Sequence, residues 1–135
     1  LYYDSEKMKG RSMKIIIVDD DCLVAGALKT ILEVNEDVQV LETGSDGREA
    51  CELYDKYQPD VLLMDIRMKE MDGLEAMRRI RAQPQLADLP IIALTAKVMS
   101  DDRQRCFDAG ASDYIAKPID VDKLVSLCRV WCSRP

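Results

Sequence analysis

Four places in this sequence set a reactive group at the end of an apolar run. Val61-Leu62-Leu63-Met64 stops at the carboxylate of Asp65, and MKIIIV over 13–18 stops at three more, Asp19, Asp20 and Asp21. Ile91-Ile92-Ala93-Leu94 stops at the hydroxyl of Thr95, and Tyr114-Ile115-Ala116 at the ammonium of Lys117. Clustered carboxylates repel one another unless a lysine or a hard cation neutralises them. Mg2+ suits such a cluster, because it takes oxygen ligands, one or two of them carboxylates, and leaves positions for phosphate oxygens. With the cation and Lys117 drawing charge off an incoming phosphoryl group, Asp65 is a competent nucleophile and an aspartyl phosphate is the product. Thr95 could then donate a hydrogen bond to the new phosphoryl oxygens. Each group alone has a plainer role: a turn or helix cap for the aspartates, a strand-end hydroxyl for Thr95, a surface lysine for Lys117. Their joint placement favours the chemistry.

That placement depends on the elements between. A continuous apolar run is how a strand covered on both faces reads. Val24, Ala27, Leu28 and Ile31 repeat at helical spacing, predicting a helix to about residue 34; a short strand follows over 38–41, then a loop through Thr43-Gly44-Ser45-Asp46-Gly47. Ala50, Leu53, Tyr54 and Tyr57 stripe a second helix that stops before Pro59. After Gly73 a third helix turns Leu74, Met77 and Ile80 inward and Arg78, Arg79 and Arg81 outward as a solvated face. A loop over 83–89 leads to the third run, and 98–109 fits a fourth helix that Gly110 stops. Asp120 caps a fifth, with Val121, Leu124, Val125, Cys128 and Cys132 on one face and Trp131 beside it. Five strands alternating with five helices predict an α/β fold, a doubly wound five-stranded parallel sheet with right-handed crossovers. All four reactive strand ends then fall on one edge, where open α/β sheets bind ligands.

A chain of 135 residues is one domain, taken as 13–133, with 1–12 a linker or an expression remnant. A net charge of -6 and a pI near 4.7 argue against direct binding of nucleic acid. No stretch approaches the roughly 18 apolar residues of a membrane span, and the start lacks the pattern of a secretory signal. The five cysteines contain no C-x-x-C pair, so reduced thiols in a cytoplasmic protein are expected. The absence of histidine excludes Ser-His and Cys-His catalysis, histidine metal ligands and a phosphohistidine on this sequence.

IIIVDDD, VLLMDIRMKEMDG, PIIALTA and AGASDYIAKPI, in that order, resemble the receiver domain of two-component response regulators, over about 13–131. The resemblance implies the (βα)5 flavodoxin-like three-layer sandwich. It implies that Asp20, with Asp19 beside it, holds Mg2+ together with Asp65 and the backbone carbonyl of Arg67, and that Asp65 accepts the phosphoryl group. Thr95 corresponds to the switch hydroxyl, Lys117 to the phosphate-pairing lysine and Tyr114 to the rotameric switch aromatic, while Lys117-Pro118 stands where the family's peptide bond is usually cis. Such a domain catalyses only its own phosphorylation and dephosphorylation. Its implied partners are a histidine kinase or histidine phosphotransfer protein and an output domain or target outside this chain. A homodimer formed on phosphorylation is a further option, with neither nucleic acid nor membrane bound directly. Lys69 departs from the family's usual proline. The stretch through Arg81 is similar to receivers attached to DNA-binding domains, and 89–119 to receivers of hybrid sensor kinases. Arg67 and Lys97, two residues after Asp65 and Thr95, are expected to rim the site and govern phosphoryl lifetime.

Other readings of the same fold are weaker. A phosphatase or phosphotransferase working through aspartyl phosphate wants an Asp-x-Asp pair, and Asp65-Ile66-Arg67 offers none. A flavin-binding protein needs a Ser/Thr-rich loop after strand one, where this chain has three anions. A dinucleotide fold needs G-x-G-x-x-G there.

Overall fold

The computed structural model describes residues 12–66, 73–84, 87–95 and 100–132, the side chains of 100–102 excepted. The strands are β1 (Met13–Val18), β2 (Val38–Gly44), β3 (Val61–Asp65), β4 (Ile91–Thr95) and β5 (Asp113–Ala116). The helices are α1 (Cys22–Leu32), α2 (Gly47–Tyr57), α3 (Gly73–Arg81), α4 (Ser100–Ala109) and α5 (Val121–Cys132). All pairings are parallel and the order is β2-β1-β3-β4-β5, the doubly wound sheet that the alternation of runs and stripes predicts.

The apolar runs are unbroken because alternate residues feed two cores. Ile16, Val18, Leu62, Met64, Ile91 and Ala93 pack under α2, α3 and α4, against Ala50, Met77, Ile80 and Cys106. Ile15, Ile17, Val61, Leu63, Ile92 and Leu94 face the other way, onto Leu28, Leu32, Leu124 and Cys128 of α1 and α5. No disulfide joins the cysteines. Burial pushes the Cys128 thiol up to about 12, so it behaves as a small apolar side chain.

Three expectations need correction. The second strand does not end at 41: it runs to Gly44 through a bulge, with Ile15 opposite Val40 but Ile16 opposite Glu42. β2 is an edge strand, and its Val40 amide donates to the Glu33 carboxylate at 3.1 Å. Thr43 and Gly44, expected in a loop, are strand. Arg81 is not on a solvated face. Its Nε donates to the Gly110 carbonyl at 2.9 Å and a terminal nitrogen to Ser112 Oγ at 3.3 Å, while burial lowers its pKa. Only Arg78 and Arg79 match that reading, both exposed and paired with Glu75. Finally, α1 ends at Leu32 rather than near 34. The Lys117–Pro118 peptide is cis and Gly110 has φ 115, both as expected.

One side-chain pair fastens α5 across the sheet end. Arg129 Nε donates to Asp37 Oδ2 at 2.9 Å and a terminal nitrogen to Oδ1 at 3.0 Å. The hydrogen bond from Arg129 holds the Asp37 carboxyl below its ordinary value. A carboxyl depressed on folding contributes stability above its unfolded pKa of about 3.9, lost as pH falls through the folded value. Asp37→Asn should therefore lower unfolding stability at neutral pH by about 1 kcal/mol or less, both groups being part-exposed. The gap from wild type should close in acid. Urea melts at the two pH values check this, and a gap that stays constant would contradict the assignment.

Candidate functional site

Register brings the reactive strand ends level. Val18 pairs with Met64 and Asp65 with Leu94, so Asp19 and Asp65 occupy the same row. Thr95 pairs with Ala116, one row further, and Lys117 follows. The alternation that sends Ile17, Leu63 and Ile115 to the α1–α5 face sends Asp19, Asp65 and Lys117 there too. Thr95 continues the Ile91, Ala93 series and so belongs to the opposite face, the face of Tyr114.

Asp19, Asp20 and Asp65 each offer a carboxylate oxygen, and these oxygens lie within 4.8 Å of one another. Asp19 is 1% exposed, Asp65 5% and Thr95 2%, whereas Asp20 faces solvent. Lys117 Nζ stands 3.3 Å from Asp19 Oδ2 and 3.6 Å from Asp65 Oδ2. Buried acids at this depth are costly unless paired, and one ammonium is shared between two of them. Three carboxylates against one ammonium leave two negative charges among the described residues, the charge of one divalent cation. The donor set is all oxygen and one member is open to water, which fits Mg2+.

The aspartates after β1 divide their work. Asp21 caps α1, accepting from the Leu23 and Val24 amides at 3.0 and 3.4 Å, so the plainer helix-cap role belongs to it. Asp19 Oδ1 accepts the Asp21 amide at 2.9 Å, which turns its other oxygen toward Lys117. Backbone bonds fix the rest. The Asp19 amide donates to the Gly44 carbonyl at 3.0 Å, and the Lys117 amide to the Thr95 carbonyl at 2.7 Å. Tyr114, on β5, packs against Phe107 and Arg103 of α4. Arg67, Lys69 and Lys97 lie outside the described residues, as does most of the 1–12 segment.

Two glycines that the sequence marks only as punctuation belong to this site. A Cβ on Gly73 would sit 2.3 Å from the Asp65 carbonyl oxygen and 2.7 Å from Ile66 Cα. The amide of Gly73 donates to the Ile66 carbonyl at 3.2 Å, so α3 starts pressed against the backbone that carries Asp65. Gly44, packed against Leu53 and Val18, supplies the carbonyl that holds Asp19.

The family model described as response regulator receiver domain matches residues 15–129. An uncharacterized 14.6 kDa protein of Leptolyngbya boryana is 36% identical over 120 residues, covering 89% of this chain and 90% of that protein. Response regulator MprA of Mycobacterium ulcerans is 37% identical over 123 residues, 91% of this chain. The chain spans about half that relative's length, 51%. The signal receiver domain of a histidine kinase from Syntrophus aciditrophicus superposes with a TM-score of 0.80 at 34% identity, covering 90% of this chain and 91% of that one.

The contact at Gly73 yields a paired test. Gly73→Ala must displace the Asp65–Ile66 backbone and should cost about 1–3 kcal/mol or more. Gly26, inside α1 with open space where a Cβ would sit, is the control: Gly26→Ala should stabilise by about 0.5–1 kcal/mol. Chemical denaturation of both variants checks the contrast, and equal effects would contradict the close approach.

Proposed function

Since this chain belongs to the response regulator receiver domain family, we propose that it takes a phosphoryl group onto Asp65 from a phosphohistidine and uses the new charge to change its surface. The domain is a regulatory module of a two-component system rather than an enzyme that turns over a substrate, and the chemistry it catalyses is its own phosphorylation and dephosphorylation. The observation that carries this reading is the trio of carboxylates with one ammonium and two charges left over.

Each residue then has a role. Asp19, Asp20 and Asp65, with the Arg67 carbonyl, would hold Mg2+; when bound, it offsets charge on the phosphoryl oxygens. The Asp65 oxygen forms a bond to phosphorus as the phosphorus–nitrogen bond of the donor breaks, its electron pair returning to the imidazole. Lys117, already 3.6 Å from Asp65, pairs with a phosphoryl oxygen. Asp19, with one oxygen on the Asp21 amide and the other on Lys117, helps hold that ammonium beside Asp65. Thr95 and Tyr114 answer the added charge from the other face, a packing element with two arrangements biased by about two negative charges. This sequence holds no histidine, so the donor imidazole lies on a histidine kinase or histidine phosphotransfer protein. The reader of the changed surface is an output domain or a separate target. Among the described residues no helix is long and apolar enough to cross a membrane.

A small acyl phosphate with Mg2+ tests the chemistry without a partner. Intact-mass measurement should show one phosphoryl addition, mapped to Asp65 and absent in Asp65→Asn. Asp20→Ala should slow labelling by about a hundredfold or more, since several kcal/mol of charge stabilisation is removed, while the fold keeps or gains stability. Labelling of Asp20→Ala at the wild-type rate would refute the metal assignment. Steady turnover of varied phosphate esters would refute the module.

A further inference from the structure

The helix α4 is fastened unevenly. Its described buried side chains are Cys106 and Ala109, both small, whereas α3 buries Leu74, Met77 and Ile80 along with Ala76. Few buried apolar groups make a segment cheap to displace. The carboxyl end is the exception, because Gly110 accepts from Arg81 there and a Cβ on it would meet Arg81 Cγ at 2.5 Å. That end is the fastened one.

Along its body α4 grips one ring on β5. The Phe107 ring meets Tyr114 edge-on, centroids 5.9 Å apart at 88°, and the Arg103 guanidinium carbon lies 5.7 Å from the Tyr114 centroid. Residues four apart share a helix face, so Arg103 and Phe107 reach the same ring from one side of α4. Ala93 pairs with Tyr114 and Thr95 with Ala116, which sets Thr95 and Tyr114 on one face as diagonal neighbours.

We propose that Arg103 is a positioning residue of the switch. Its cation–π contact, with the Phe107 edge, ties the Tyr114 ring to α4, so that ring and helix move together about Gly110. The contact favours the arrangement described here over the one that a phosphoryl group on Asp65 selects. This rests on the reading of Asp65 as acceptor and Tyr114 as switch. A part-exposed cation–π contact is weak, so the clamp biases the equilibrium by about two- to fivefold rather than locking it. A variant without it should reach the phosphorylated arrangement more readily, because a ligand's apparent affinity scales with the fraction already competent.

The test compares Arg103→Gln, Arg103→Lys and Arg105→Gln with the wild type, reading the initial rate of Asp65 phosphorylation by acetyl phosphate with Mg2+ and amide exchange over residues 103–116 before labelling. Arg105 is an exposed residue two positions on, about 200° round the helix, so its loss removes the same charge from another face. Arg103→Gln should label about two- to fivefold faster and exchange faster around Tyr114, with Arg103→Lys nearer the wild type. Arg105→Gln should label no faster than the wild type. If positive charge only attracts the anionic donor, both Gln variants slow alike, which overturns the proposal. Should the wild type take no phosphoryl group on Asp65, the acceptor reading fails by itself. The clamp is then decided by exchange, and unchanged protection in Arg103→Gln overturns it.

Discussion

Lys117 reaches two buried carboxylates at once, 3.3 Å from Asp19 and 3.6 Å from Asp65. An acid at that depth costs several kcal/mol unless a partner compensates it, and a shared ammonium compensates incompletely. Such a cluster persists only if the backbone that carries it cannot relax. Here the charged residues are pinned by bonds that involve no charge: Asp19 by the Gly44 carbonyl, Lys117 by the Thr95 carbonyl, and the end of β3 by the Leu94 carbonyl and the start of α3. Apolar strands buried on both faces supply the stability against which the cluster is held. The site and the core are therefore one design, with repulsion at the sheet edge offset by packing beneath it.

Much of this was legible in the sequence, for a physical reason. A central strand of a doubly wound sheet has no solvated face, so MKIIIV, VLLM and IIAL announce strands, and the polar residue that ends each run marks the edge. Helix stripes, the cap at Asp120 and the stop at Gly110 follow from short-range rules. What stayed hidden depends on distant partners. Arg81 follows Arg78 and Arg79 in a basic cluster, and nothing local tells that the Gly110 carbonyl, 29 residues on, lies beside it. The bulge in β2 answers to its pairing with β1, and Thr43-Gly44 has loop chemistry. Gly73 reads as a turn residue, but what demands glycine there is the Asp65 backbone at van der Waals contact. Asp19, Asp20 and Asp21 look alike in the sequence, and only the helix start sorts the cap from the two that face the cluster.

Alternation along the strands has a consequence for the proposed switch. By strand alternation Asp19, Asp65 and Lys117 continue the α1–α5 series and Thr95 the α2–α4 series, the side on which Tyr114 packs, so on the proposed reading the switch residues start from the other side of the sheet edge. On that reading a change at Asp65 has to reach the other face through the strands. The central strands β1, β3 and β4 are poor conduits, because close-packed side chains on both sides resist displacement.

The edge strand β5 is the better one. It has four residues, only Ile115 among them fully buried, and among the described residues it pairs with β4 alone. Tyr114 projects from one face of this strand, and Lys117 follows it on the other, three residues on. On the proposed reading, an added charge on Asp65 that draws Lys117 acts on the same short strand that carries Tyr114, and the Lys117 amide bonded to the Thr95 carbonyl joins that strand to the end of β4. On the outer side the ring meets α4, whose described buried side chains are small. The lightly held parts of the fold, β5 and α4, thus lie in sequence between the buried charge and the surface, and on the proposed reading displacement travels where packing opposes it least.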